Sequence, residues 1–251
     1  MEAGRFAEGD HFSACADAYA AYRPTYPRAL AELLGSLTRR RELVWEAGCG
    51  SGQLTVLLAE RFARVIATDA SEEQLSHAPR VENVAYRRAS AESSGLPAHV
   101  ADLVVAAQAA HWFDLPLFFA EAQRVGRAGA TIALVSYGVV QAGGDVDPLI
   151  HEFHRHTLAP WWPPERRHVD TAYRTLDFPF EELATPLLQM SKRWTLDEFM
   201  GYMRTWSAVR ALLRAGESAK LDAVEAELRR RWVGTAPREI RWSLVVRAGR
   251  L

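Results

Sequence analysis

The stretch Val44-Trp-Glu-Ala-Gly-Cys-Gly-Ser-Gly-Gln53 decides the fold of this chain. Its first residues are mostly apolar, and three glycines follow at alternate positions, which predicts a buried strand that ends in a tight turn. Glycine is favoured where φ is positive or where a ligand comes too close to the backbone for a Cβ. A helix that begins after such a turn offers unpaired backbone N–H groups to an anionic or carboxylate-bearing ligand. The segment therefore predicts a ligand-binding loop between a strand and a helix.

The glycine spacing argues against a dinucleotide cofactor. The fingerprint G-x-G-x-x-G would place its third glycine at position 53, but Gln53 stands there and the glycine comes one residue earlier, at Gly52. Asp69 closes the second predicted strand, where a carboxylate can accept hydrogen bonds from both hydroxyls of a ribose. A nicotinamide oxidoreductase with an atypical glycine loop is an alternative, and so is a structural turn followed by a helix-capping aspartate.

The surrounding sequence predicts an α/β fold. Short β-rich runs alternate with amphipathic helical segments, which is typical of βαβ units and a parallel sheet. Five strands are predicted in this part, at 43–47, 64–69, 84–89, 102–107 and 131–137. After residue 141 tryptophans cluster and the alternation stops, which predicts a helical cap, while 187–194 and 239–247 are expected to add an antiparallel edge.

We therefore expect a doubly wound, mostly parallel, seven-stranded Rossmann-like sheet with an inserted helical cap. The predicted division is 1–140 for N-terminal cap helices and the ligand-binding core, 141–186 for the cap insertion, and 187–251 for the last strands with further cap helices. Ligands of such sheets bind at the carboxyl ends of the strands, so the site is expected there, beneath the cap.

The composition of the chain argues against a nucleic acid, a membrane or a metal as partner. The chain has 251 residues, 30 basic and 31 acidic, and a net charge of −1, so no basic surface for nucleic acid or an anionic membrane is indicated. Its two cysteines lack CxxC spacing, and its start has no apolar signal segment. The tract His151-Glu-Phe-His-Arg-His156 departs from the zinc motif H-E-x-x-H, which needs histidine at position 155. These features favour a cytoplasmic protein without a metal, a nucleic acid or a membrane as partner, and we expect a monomer or a homodimer.

Several motifs together carry a family resemblance. Glu46-Ala-Gly-Cys-Gly-Ser-Gly52, Asp69, Ala89-Ser-Ala-Glu92 and Ala107-Gln-Ala-Ala-His-Trp-Phe-Asp114 resemble the successive motifs of class I S-adenosylmethionine-dependent methyltransferases. Asp10-His-Phe-Ser13, Tyr22-Arg-Pro-Thr-Tyr-Pro27 and Gly201-Tyr-Met-Arg-Thr-Trp-Ser207 resemble a narrower branch, the methyltransferase type 11 or trans-aconitate methyltransferase-like enzymes. The resemblance implies methyl transfer from S-adenosylmethionine to a small molecule.

The resemblance also implies roles for individual residues around this cofactor. Gly48, Cys49, Gly50 and Gly52 would form the cofactor loop, and Glu46, where family members often carry aspartate, would lie near the amino group of the methionine part. Asp69 would hold the ribose. The other implied cofactor residues are Ala70 and Ser71 on the adenine side, Ser90, Ala91 and Glu92 around the ring, Gln108, Ala109 and His111 at the methionine end, and Tyr19 and Arg23 closing over the site.

The predicted acceptor site depends on the group that is methylated. A carboxylate is ionised at neutral pH and needs no general base, so His111 would line the pocket; a hydroxyl or an amine would make His111 the candidate base. Arginine suits a carboxylate because its planar fork donates two hydrogen bonds. The predicted substrate residues are Tyr22, Trp112, Arg204 and Trp206, with Arg204 first and Arg23 second for the carboxylate. The narrower resemblance implies O-methylation of an organic acid carboxylate, and a non-catalytic cofactor-binding module is the alternative.

Overall fold

A computed structural model describes residues 24–232 and 234–251. The predicted site residues Tyr19, Tyr22 and Arg23 lie outside the described residues. The strands are β1 (Leu43–Ala47), β2 (Arg64–Asp69), β3 (Val84–Arg88), β4 (Ala101–Ala107), β5 (Gly126–Tyr137), β6 (Glu181–Leu183), β7 (Leu188–Trp194) and β8 (Arg238–Arg250). They form one sheet in the order β3-β2-β1-β4-β5-β8-β6, with β7 also paired to β8.

The sheet confirms the predicted fold class. Strands β1 to β5 pair in parallel, and β8 lies antiparallel to β5. The outer edge of β8 is shared by two strands, since β6 pairs with its last residues and β7 with the segment from Arg238 to Leu244. The sheet therefore has seven positions across its width, with two short strands at the seventh. The chain order turns back between β1 and β4, the kind of switch point at which open α/β sheets bind ligands.

The helices cover both faces of the sheet and build the cap. In chain order they are α1 (Arg28–Ser36), α2 (Thr55–Ala59), α3 (Glu72–Ser76), α4 (Leu115–Val125), α5 (Val146–Glu152), α6 (Arg166–Asp170), α7 (Leu196–Arg204), α8 (Ser207–Arg214) and α9 (Ser218–Arg231). Helix α7 begins at a capping box: Thr195 Oγ1 accepts from the Glu198 N–H, and the Glu198 carboxylate accepts from the Thr195 N–H. No helix in the described ranges is long and apolar enough to cross a membrane.

Alternating side chains of the central strands divide the core into two layers. Val44, Val65 and Leu103 belong to the layer that contains α1 and the cap helices α7 to α9. Trp45 and Val104 belong to the other layer, which contains α4. This alternation follows from the period of two along a strand, with both sheet faces buried. Cap helices α7 to α9 therefore pack on the same face of the sheet as α1, whereas Val169 of α6 and Tyr173 belong to the layer of α4.

The segment 141–186 departs from the prediction in one respect. It contains α5, α6 and the short helical turns between them, as expected of a cap, but it also contributes strand β6. The three residues of β6 are mostly exposed and carry no alternating pattern, and they become a strand only because β8 offers an unpaired edge. The boundary between cap and sheet thus lies earlier than the predicted residue 187.

Candidate functional site

The three glycines of the loop after β1 all have positive φ, at +68° for Gly48, +55° for Gly50 and +80° for Gly52. The N–H groups of Gly48 and Cys49 both donate to the Thr68 carbonyl, at 2.8 and 3.0 Å, which fastens the loop to β2. A Cβ on Gly48 would lie 2.6 Å from the Ala109 Cβ, whereas a Cβ on Gly50 would meet only the Gln74 side chain, at 3.7 Å. The loop is closely packed at Gly48 and open above Gly50, which leaves a ligand room there.

Asp69 connects the loops that follow β1 and β2. Its Oδ2 accepts from the Gly50 N–H at 2.7 Å, and its Oδ1 accepts from the Ser71 N–H at 2.9 Å. Burial raises the pKa of this carboxyl. Each oxygen has a second lone pair, so the carboxylate can still accept hydrogen bonds from a pair of ligand hydroxyls. The structure thus places Asp69 beside the glycine loop, as the sequence predicts.

Glu46 lies beneath the loop as a buried acid, with only 1% of its surface exposed. Thr55 on α2 donates to its Oε2 at 2.6 Å. Burial raises the pKa of Glu46 to about 8, and the nearby Asp69 adds to this, so the side chain is mostly neutral at pH 7. A buried acid of this kind favours a cationic neighbour, which would restore its ordinary ionisation.

One further polar atom at this edge of the sheet, Gln108 Oε1, is buried and has no hydrogen-bond partner in the described residues. Gln108, the residue after β4, has φ of +52°, and its Nε2 donates to the Tyr137 carbonyl at 2.9 Å. A non-glycine residue in this conformation is strained, and such strain clusters at functional sites. The unused amide oxygen is available to accept from a bound donor. Cys49 is buried, which raises the pKa of its thiol and keeps it protonated.

His111 follows Gln108 on a single helical turn, Ala110–Trp112. Its Nδ1 shares a 2.9 Å hydrogen bond with the hydroxyl of the buried Tyr173, and its ring lies 4.8 Å from that of Trp112, which is 37% exposed. Burial, together with the charges of Arg166 and His168, lowers the pKa of His111 to about 3. His111 is therefore neutral at pH 7 and a weak base, which supports the pocket-lining role over the catalytic one.

The remaining predicted cofactor residues follow β2 and β3. Ala70 is exposed and directly follows Asp69. Ser90 forms an isolated bridge with Ser93, and Ala91 is buried. Glu92 Oε1 accepts from the Asp114 N–H at 2.9 Å, which holds the segment after β3 against the start of α4. All of them lie at the carboxyl edge of the sheet, since parallel strands end on the same side.

An aromatic chamber lies at the end of β5, where the Tyr137 carbonyl accepts from Gln108 at the end of β4. It is lined by Tyr137, Gly138, Val139, Val140, His154, Trp162, Arg166, Tyr202 and Trp206. The enclosed gap has room for about one water molecule, so a larger acceptor requires the surrounding cap to open. Trp206 is a predicted substrate residue, and the structure places it in this wall.

The arginine in this chamber is Arg166, which the sequence analysis did not single out. Its guanidinium lies 4.8 Å from the centre of the Trp162 ring, and its Nε donates to Asp170 at 3.0 Å. Its two terminal nitrogens make no hydrogen bond within the described ranges. Arg166 lowers the pKa of both His111 and His154, and its helix α6 lies close to the turn Ala110–Trp112 that carries His111.

The structure does not bring Arg204 to the chamber. Its guanidinium pairs with Glu225 at 2.6 Å, and its side chain is 45% exposed. An exposed pair of this kind is typical of a solvated helix surface. In the described residues no group of three or more histidine, cysteine or acidic side chains is placed to hold a metal ion, and the tract from His151 to His156 provides none.

Comparisons with known proteins agree with this site. A sequence profile of the methyltransferase domain family matches residues 45–134, which include the glycine loop, Asp69 and the end of β4. A Dictyostelium discoideum protein named as a methyltransferase is 33% identical over 223 residues, covering 87% of this chain and 85% of the relative. The chain belongs to the class I S-adenosylmethionine-dependent methyltransferase family.

Two solved structures are similar to this methyltransferase over most of its length. A structure from Anaeromyxobacter dehalogenans, described as a type II methyltransferase, is 45% identical with a TM-score of 0.86 and covers 91% of this chain and 98% of its own. The YcgJ protein of Bacillus subtilis, at 18% identity and a TM-score of 0.54 over 89% of this chain and 98% of its own, shares the fold. Membership of the family does not favour the oxidoreductase alternative or the non-catalytic one.

Proposed function

We propose that this methyltransferase binds S-adenosylmethionine over the loop after β1 and methylates the carboxylate of a small organic acid in the aromatic chamber. We infer the carboxylate acceptor from Arg166. This cation is partly exposed and lies near the neutral His111, and its terminal nitrogens make no hydrogen bond within the described residues. The proposal agrees with the resemblance to the trans-aconitate methyltransferase-like branch.

The residues at the strand ends fit this cofactor by their chemistry. Gly50 leaves the loop open, Asp69 can accept from ribose hydroxyls, and the acceptor oxygens of Glu46 and Gln108 suit an ammonium group. Ser90, Ala91 and Glu92 would border the adenine, and Ala109 and His111 the methionine end. When bound, S-adenosylmethionine supplies a methyl group that its sulfonium already activates.

The chain's own contribution to the reaction is positioning. Arg166 would hold the acceptor carboxylate through two parallel hydrogen bonds, which orients one oxygen toward the end of β4. The aromatic walls would exclude water around this oxygen and strengthen the ion pair. A carboxylate has no proton to lose, so a weak base such as His111 is sufficient as a neighbour.

The proposed function is tested by following label from methyl-labelled S-adenosylmethionine into a panel of small acids, phenols and amines. We expect label in one or more acids, in a product that mild base hydrolyses, as a carboxyl ester should be. A base-stable product would identify an ether, an amine or a carbon acceptor and would contradict carboxylate methylation. Binding of the cofactor without transfer to any acceptor would favour the non-catalytic module.

The buried acid Glu46 predicts a pH dependence of stability. Its pKa is about 8 in the folded protein and near 4.5 when exposed, so between these values the folded state binds more protons than the unfolded state. The free energy of unfolding should therefore fall with rising pH in this window, by up to about 1.4 kcal/mol per pH unit. Glu46→Gln keeps an acceptor for Thr55 but does not titrate.

The measurement is urea unfolding of both proteins without cofactor from pH 5 to pH 8. The difference between them isolates Glu46, because histidines with lowered pKa values contribute equally to both. We expect the wild-type protein to lose stability relative to Glu46→Gln as the pH rises. Parallel curves for the two proteins would show that Glu46 is ionised throughout.

A further inference from the structure

We propose that His154 determines acceptor specificity in the aromatic chamber, where its imidazole ring binds a hydroxyl group of an aromatic acid whose carboxylate is bound by Arg166. This inference rests on the proposed function, since it names a second recognition point in the same acceptor site. It extends the substrate class from an organic acid to a ring-bearing hydroxy acid.

The first argument is the hydrogen bonding of His154. The residue is 3% exposed, and neither Nδ1 nor Nε2 has a partner within the described ranges. Buried polar side chains in folded proteins nearly always have a partner, because desolvation without one is costly. Both nitrogens belong to a residue that lines the chamber, so a bound molecule in the chamber can supply the missing partners.

The second argument is the match between the ring and its ligand. Burial is the main reason why the pKa of His154 is lowered to about 4; Arg166, Arg155 and His151 act in the same direction, and Asp170 opposes them. The ring is therefore neutral at pH 7, with one donor nitrogen and one acceptor nitrogen. A hydroxyl group both donates and accepts, whereas a carboxylate only accepts. A neutral imidazole thus suits the hydroxyl, and Arg166 suits the carboxylate.

The third argument is the shape of the surroundings. The His154 ring centre lies 4.7 Å from that of Trp162 and 5.6 Å from that of Trp206, and the Trp162 Nε1–H donates to the His154 carbonyl at 2.9 Å. Indole rings favour planar ligands through stacked or edge-on contacts. Arg166 lies over the same Trp162 ring. Because the gap has room for only about one water molecule, a planar acid requires the cap to open, and it then meets the indole walls, the cation and the imidazole in one chamber.

The local backbone holds His154 in this position. It belongs to a widened helical turn, Phe153–Thr157, that follows α5 directly. Such turns interrupt the regular helix and are frequent at functional sites. His156, two residues later, is exposed by contrast, and its Nε2 lies 3.7 Å from Glu152 Oε2. The same short segment thus provides a chamber histidine and a surface histidine.

The experiment compares benzoate with 2-, 3- and 4-hydroxybenzoate by calorimetry, on full-length protein saturated with S-adenosylhomocysteine. We expect at least one hydroxybenzoate to bind the wild-type protein 10-fold or more tightly than benzoate does. His154→Phe should remove this preference and leave benzoate affinity within about threefold, because phenylalanine fills the space without hydrogen bonds. His154→Asn should keep part of the preference, and it replaces the phenylalanine variant if that one does not fold.

His156→Phe is the matched control and should keep the full preference for the hydroxybenzoate. The thermal midpoint of His154→Phe should equal or exceed that of the wild type, since two unpartnered buried nitrogens are removed. A preference that survives in His154→Phe, equal binding of all four acids, or no binding of any of them to loaded protein would overturn the inference. Failure to bind S-adenosylhomocysteine would instead contradict the proposed function.

Discussion

Glutamine in place of Arg166 is expected to lower kcat/KM for the carboxylate acceptor by roughly 100- to 1000-fold, a loss of about 3–4 kcal/mol in transition-state stabilisation. The reason is that a neutral amide replaces the cationic fork over Trp162, so the proposed acceptor carboxylate enters the buried aromatic chamber without a counter-charge. Affinity for S-adenosylhomocysteine should stay within about threefold, because the proposed cofactor residues lie at other strand ends. Steady-state kinetics and calorimetry on the same protein measure both quantities.

Arg204→Gln provides the matched control for this prediction. Arg204 makes its ion pair with Glu225 on the protein surface, and exposed pairs contribute about 0–1 kcal/mol. Its kcat/KM should therefore remain within about twofold of the wild-type value. A loss as large as that of Arg166→Gln would show that carboxylate binding involves α7, as the sequence predicted, and would remove Arg166 from its proposed role.

The sequence predicts the strand ends of this fold well because those ends carry their own signals. The bounds of β1 and β2 agree with the prediction, since each strand is a short apolar run that stops at a residue with a local function, the glycine loop in one case and Asp69 in the other. Gly48 lies close to Ala109 because β1 and β4 are neighbours in the sheet although they are not consecutive in the chain. This pairing occurs at the point where the strand order switches direction.

The aromatic chamber is much harder to predict from the sequence. Its lining comes from the end of β5, the segment after α5, helix α6, helix α7 and Trp206, which lie far apart along the chain. Arg166 shares its type with many surface residues, and only its position over Trp162 distinguishes it from Arg204. His154 lies in a tract that the sequence analysis considered only for metal binding. The sequence does not indicate that the His154 nitrogens are buried without a partner. This property depends on which hydrogen-bonding groups the neighbouring elements place around the ring.

Alanine in place of Gly48 is expected to lower the thermal midpoint of the cofactor-free protein on the order of 5–15 °C. The backbone at this position has φ of +68°, which costs an L-residue roughly 1–2 kcal/mol. In addition, the new Cβ would lie 2.6 Å from the Ala109 Cβ, and neither atom can rotate away because each is attached directly to the backbone. Relief requires the ends of β1 and β4 to separate, an overpacking cost of about 1–3 kcal/mol.

Two further variants separate the conformational cost at Gly48 from the steric one. Gly50 also has positive φ, but a Cβ at this position meets only the Gln74 side chain, at 3.7 Å. The thermal midpoint of Gly50→Ala should therefore fall by only a few degrees. Its affinity for S-adenosylhomocysteine should fall more than that of Gly48→Ala. Ala109→Gly, combined with Gly48→Ala, removes the atom that the new Cβ meets and should recover part of the lost stability. If the double variant is no more stable than Gly48→Ala, the close contact between the two strand ends does not contribute to the loss of stability. Backbone conformation alone then explains why glycine occupies this position.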